Sequence, residues 1–204
     1  MTIPVTVEKY RKSSGRLRLL LDGIGQLSPM HQKTISELVA VRLAVALENC
    51  ISQSLYRVAA GKPMCSGRVA SLNVVPFGQK LAQSAVRTGC SKEGNIRSWL
   101  DSSELTARMI HIVHEDDMIL SRIRAHGGTF ADLRKIRNHI AHGNRVSFTG
   151  FQQIVLRVYG AKLNHVTPGM LLLTKRAKPI NYCRRLIVSS DSAVREIFEY
   201  NSAV

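Results

Sequence analysis

Residues 28–63 constrain this chain more than any other stretch. Ser28-Pro29 is a strong helix start, a capping hydroxyl followed by proline at the first helical position. Gly61-Lys62-Pro63 is a matching stop. Together they predict one long helix over residues 29–60. Ile35, Leu38, Val39, Arg42, Val45, Ala46, Asn49, Cys50 and Gln53 trace one face of it, broadly apolar but polar in places. With 45% hydrophobic residues the chain can bury a sizeable core, and the fold class that follows is mainly α.

The remaining segments are shorter. Residues 1–9 read as extended or frayed. Residues 10–27 read as a first helix, with Leu17, Leu20, Leu21 and Ile24 on one side and Gly15, Gly23 and Gly25 weakening it. Residues 61–78 read as a loop, 80–86 as a short helix, 89–95 as a break and 97–124 as one or two helices. Core candidates in 97–124 are Trp99, Leu100, Leu105, Met109, Ile112, Val113, Ile119 and Ile123. His126-Gly127-Gly128 reads as a turn. Thr129 then suits an N-cap, with Asp132 three residues on completing a capping box. Phe130, Leu133, Ile136 and Ile140 give that helix an apolar stripe, and Gly143 is its expected stop.

After Asn144 the pattern changes. Residues 154–159, 170–173 and 186–188 are short apolar runs, the first of them β-branched. They suit strands as well as helices, and periodicity does not separate the two at this length. Residues 191–200 read as a closing helix, with Val194, Ile197 and Phe198 on one face. Two segments result: residues 1–145, and a basic C-terminal appendage over 146–204 that carries the strand candidates and packs on the same domain.

Charge is distributed unevenly. The formal net charge is +15, which points to a polyanion such as nucleic acid. Residues 133–190 contain no Asp or Glu. Arg134, Lys135, Arg145, Lys175, Arg176, Lys178, Arg184 and Arg185 fall there and are the expected RNA-binding cations; Arg137, Arg157 and Lys162 share the segment. Phe148, Phe151, Tyr159 and Tyr182 suit base stacking, although core packing is the commoner fate of such side chains. Cys50, Cys65, Cys90 and Cys183 show no C-x-x-C spacing and read as reduced thiols. Residues 1–12 lack the apolar core of a signal peptide, and no run is long enough to span a bilayer. A cytoplasmic protein without membrane association is expected.

The densest chemistry lies in Arg137-Asn138-His139-Ile140-Ala141-His142-Gly143-Asn144. An arginine, a polar residue directly after it, and a histidine closing a gap of four intervening residues resemble the signature of the HEPN domains. The string RNHIAHGN resembles the branch called RiboL-PSP. Arg42-Leu43-Ala44-Val45-Ala46-Leu47-Glu48 looks like the second helix of that branch. The resemblance covers residues 10–145. Beyond Asn144 the chain departs from the family pattern, which would close with one long helix.

The resemblance implies an all-helical up-and-down bundle, often dimeric. It also implies a metal-independent endoribonuclease of toxin–antitoxin or anti-phage systems, with no cofactor. An acidic antitoxin or a nucleotidyltransferase-type partner would then regulate it. Residue by residue, it implies His142 as general acid/base, Arg137 as the transition-state cation and Asn138 as a positioning group. The chemistry agrees. Cleavage of RNA by its own 2′-OH needs a proton carrier near neutral pH and a fixed cation facing the phosphorane oxygens. His139 sits where it would line the same cleft as a second imidazole.

Three other readings stand beside this one. Arg137 and His142 near a helix C-terminus fit a dipole preference without catalysis, and hence a non-catalytic RNA- or partner-binding module. His111, His114, His139 and His142 form two pairs at helical i, i+3 spacing and would serve a metal-dependent hydrolase if they met in space. Arg42 and Glu48 either orient the motif, bridge a dimer, or form an ordinary edge ion pair.

Overall fold

A computed structural model describes residues 2–89, 98–176 and 178–199. Expectations for residues 90–97 and 200, Cys90 among them, lie outside these. The described chain is helical: α1 (Ile3–Asp22), a 3-10 turn (Gly23–Gln26), α2 (Pro29–Ala59), α3 (Gln79–Thr88), α4 (Ser102–Met109), α5 (Met118–Ala125), α6 (Gly127–His142), α7 (Arg145–Tyr159), α8 (Pro168–Leu173) and α9 (Tyr182–Phe198). The mainly α class holds. Among the described residues no strand forms, only an isolated bridge between Leu72 and Val113. No helix among them is long and apolar enough to cross a membrane.

The long helix α2 is the hub, with α1, α3, α6, α8 and α9 packed around it. Ser28 caps it by accepting from the His31 N–H. Its buried ridge is Leu43, Leu47, Ile51 and Leu55, at four-residue steps. Each such side chain contributes about 1.5–3 kcal/mol by leaving water. The face expected from sequence is corrected here: Leu38, Arg42, Val45 and Asn49 are exposed. α2 is apolar around most of its girth, so periodicity alone does not say which stripe its neighbours cover.

Several boundaries also differ from expectation. α1 starts at Ile3, because Pro4 suits the first helical turn and Ile3, Val7, Tyr10 and Ser14 form a buried stripe. The expected turn at Gly127-Gly128 is the first turn of α6. At Gly127 a Cβ would lie 2.4 Å from Ser102 Oγ and 3.3 Å from Ser102 Cβ, so any larger residue there makes the Ser102 side chain shift where α6 meets α4. Thr129 therefore lies inside α6 and caps nothing. The Asp132 carboxylate is taken by Arg157 and by the Tyr182 hydroxyl, which donates to it at 2.7 Å, so a tertiary pair displaces the local cap.

The strand candidates are all helical. Residues 154–159 belong to α7, where Phe151, Ile154 and Val155 are buried at helical spacing. Residues 170–173 fall in α8 and 186–188 in α9. Asn181 caps α9 by accepting from Arg184 N–H at 2.8 Å, so this helix starts well before residue 191. Tertiary burial overrides the β-branched preference. The C-terminal helices share one core with the rest: α9 packs on α1, α2, α5 and α6, and α8 on α2.

Candidate active site at the junction of α6 and α7

Gly143 ends α6 in the left-handed region at φ +55°, where glycine carries no Cβ penalty. Asn144 follows in extended backbone and caps α7, its Oδ1 accepting from Ser147 N–H at 2.9 Å. Two residues thus turn one helix into the next. The turn sets His142, the last residue of α6, beside the N-terminus of α7, whose partial positive charge favours an anion. An open cleft of about 270 Å³ lies at this junction, lined by Arg134, Lys135, Asn138, His142, Asn144 and Ser147 among others.

Helix geometry explains the lining. Arg134, Asn138 and His142 repeat every four residues and share one outer stripe of α6. Arg137 and His142 are five residues apart, about 140° around the helix axis. Arg137 therefore turns away from the cleft toward α2. Its Nη1 donates to Asn138 Oδ1 at 3.0 Å and its Nη2 pairs with Glu48 Oε2 at 3.3 Å. Burial pushes the Glu48 carboxyl above its usual range, and the Arg137 guanidinium offsets part of that rise. Of the readings expected for Glu48, this contact is an ion pair with Arg137 at 3.3 Å, which fits an orienting group and an ordinary ion pair alike. Arg42 is exposed, and no contact with Arg137 or His142 joins it to them.

His139 faces the other way, under the cleft. Its ring stacks on Phe151 at 4.7 Å and sits 5.6 Å from Phe148. Ser147 donates its one hydroxyl proton to the Asn144 carbonyl at 2.9 Å, so His139 Nδ1–H donates to Ser147 Oγ at 3.3 Å. Nε2 keeps the lone pair. The expected second imidazole in the cleft is thus a ring wedged between helices, and His139 is not among the cleft's lining side chains.

Burial lowers the His139 pKa, and the Glu37 carboxylate raises it part of the way back. The unfolded chain therefore takes up this proton at a higher pH than the folded chain. Stability from this group is full above about pH 6.5 and is lost as the pH falls from there through the folded-state value. In thermal melts across that range, wild type should lose more stability toward acid than His139→Gln. Parallel pH profiles for the two proteins would contradict this.

The expected RNA-binding cations separate into groups. Lys135 and Arg134 line the cleft, yet Arg134 donates to Asp101 at 2.6 Å and Lys135 to Gln153 at 2.7 Å. Arg145 is exposed in the first turn of α7. Lys175, Arg176 and Lys178 are exposed on the segment before α9. Arg184 pairs with Asp22 at the end of α1, and Arg185 lies over the Tyr182 ring. The segment without acids is therefore neutralised in part by Asp22, Asp101 and Asp132 from outside it. Phe151 and Tyr182 are buried, which excludes base stacking by both.

The four-histidine reading is corrected. His111 and His114 lie in the turn after α4, so their spacing is not helical, and His114 approaches Asp116 instead. Among the described residues no three His, Cys, Asp or Glu side chains cluster as metal ligands. Sequence reasoning missed the Asn144 cap, Ser147 and Gln153. The pair Gly143-Asn144, a helix stop followed by a capping residue, was the available signal. No protein-family model matches the chain, and neither a curated protein nor a solved structure does.

Proposed function

We propose that this chain is a metal-independent endoribonuclease of the HEPN kind, cleaving RNA by attack of its own 2′-OH. His142 moves the proton, Arg137 stabilises the charge on the phosphorane, and Asn138 positions the pair. The observation that carries this reading is the chain of contacts from Glu48 through Arg137 to Asn138, the last of which lines one cleft with His142 beside the N-terminus of α7. A phosphate in that cleft meets backbone N–H groups, an exposed imidazole and Lys135.

One copy does not aim Arg137 and His142 at the same point, so the working site combines two copies. The exposed stripe of Leu38, Arg42 and Val45 on α2, the helix that carries Glu48, supports this. Light scattering should then give twice the chain mass, and an active strict monomer would refute the composite site. The pairing of Arg137 with Glu48 also favours a second reading, a binding module without activity. Incubation with labelled single-stranded RNA in excess chelator separates the two. Cleavage is expected; cleavage that needs a divalent ion, or tight binding without cleavage, would overturn the proposal.

A further inference from the structure

A second cationic cleft, about 360 Å³ and open to solvent, lies where α6, α7 and α9 meet. Arg157, Arg176 and Arg185 line it, with Asp132 as its carboxylate and Tyr182 beside it. Asp132 takes Arg157 and the Tyr182 hydroxyl, so one carboxylate faces three guanidiniums and two charges are left over. Arg185 lies 4.6 Å over the Tyr182 ring and Arg176 5.5 Å over the Tyr159 ring, so aromatic faces hold both cations in place. The Nε and Nη2 of Arg185 are shielded from solvent and have no hydrogen-bond partner. These donors are covered by the protein, so Arg185 acts on the cleft through its charge, and the exposed guanidiniums of Arg157 and Arg176 supply the planar forks that match phosphate oxygens.

The position says whose phosphate. Asp132, Lys135, His139 and His142 follow one stripe of α6, and Arg157, Gln153 and Ser147 answer them from α7. The seam between the two helices thus runs from the arginine cleft, past Lys135, to the cleft that holds His142. From position 132 to position 142 the helix rises about 15 Å. We propose that the arginine cleft binds a backbone phosphate of single-stranded RNA, a few nucleotides from the bond placed at His142. The assignment rests on the reading of the His142 cleft as the RNA site.

The test uses the full chain and fluorescent 2′-O-methyl oligonucleotides, which lack the attacking hydroxyl. Arg185→Gln should weaken binding of a long strand several-fold and flatten its log–log salt dependence by about 0.7, the share of one phosphate contact. A dinucleotide, too short to reach both clefts, should bind wild type and variant alike. The melting temperature of Arg185→Gln should not fall, because the lost cation had unmet donors; if it falls, the exposed Arg176→Gln carries the same comparison. Unchanged affinity and slope in a folded variant would overturn the site. So would a mononucleotide that binds as tightly as the long strand and loses as much in the variant, since that marks a free-nucleotide pocket. Wild-type protein that cleaves RNA while the variant binds normally removes the arginine cleft and leaves the nuclease standing. Weakened binding in the variant of a protein that never cleaves does the reverse.

Discussion

His142→Ala should lower RNA cleavage by about a hundred- to ten-thousand-fold, the usual worth of a positioned proton carrier. It should do so without a drop in melting temperature, because the side chain is exposed at the end of α6. Arg137→Ala should cost about a hundred- to a thousandfold, as expected for removing one fixed donor to a developing oxyanion. Arg137→Lys should not restore the rate, since an ammonium cannot reach Asn138 and phosphate as a planar fork does. Single-turnover cleavage with circular dichroism as the control for folding reads both effects. Folded variants that cut at the wild-type rate would reduce the motif to a helix terminus with its ordinary preference for cations.

Phe151→Ala should have the largest effect on stability near the site. Phe151 is fully buried in α7 and is the surface on which His139 stacks. Truncation removes the ring and leaves a cavity, at about 3–5 kcal/mol. For a chain of this size that lowers the melting temperature by roughly 10 °C. The variant should also lose part of the excess acid sensitivity of wild type, because His139 regains water and its pKa returns toward the ordinary value. Melts at neutral and mildly acid pH measure both. A Phe151→Ala protein that melts like wild type would mean that α7 does not pack as described.

Helix stops and caps made much of this legible from sequence. Ser28-Pro29 and Gly143 act at a single position through backbone geometry, and both do what their chemistry demands. The stripe of Phe130, Leu133 and Ile136 was equally plain, because only one face of α6 is apolar. α2 was not, since it is apolar on several sides and only its neighbours decide which is covered. The β-branched run of α7 was ambiguous because five or six residues hold too little periodicity, and the Asn144 cap that settles it stands ten residues earlier. Asp132 misled for a related reason: it satisfies a local capping pattern, but Arg157 and Tyr182 reach it across the fold.

The same distinction applies to the site. Glu48 was visible as a carboxylate inside an apolar helix, and it does hold Arg137. His139 and His142 look alike in the string. In space one is stacked under the cleft and the other exposed at its edge: Phe151 of α7 packs on His139, while His142 is the last residue of α6. The sequence segment without acids looked like one uninterrupted basic surface. Folding instead brings Asp22, Asp101 and Asp132 onto Arg184, Arg134 and Arg157, which leaves two cationic clefts rather than a uniform flank.

The central claim is that the 2′-OH of the substrate is the nucleophile and the protein moves its proton. Mass spectrometry of the products made by wild-type protein in excess chelator tests it most directly. Attack by the 2′-OH leaves a 2′,3′-cyclic phosphate on the upstream fragment, one water lighter than the linear phosphate, and a 5′-hydroxyl on the downstream fragment. These ends, absent from His142→Ala and Arg137→Ala digests, are the expected result. Fragments carrying a 5′-phosphate and a 3′-hydroxyl, formed only when a divalent ion is supplied, would contradict the account.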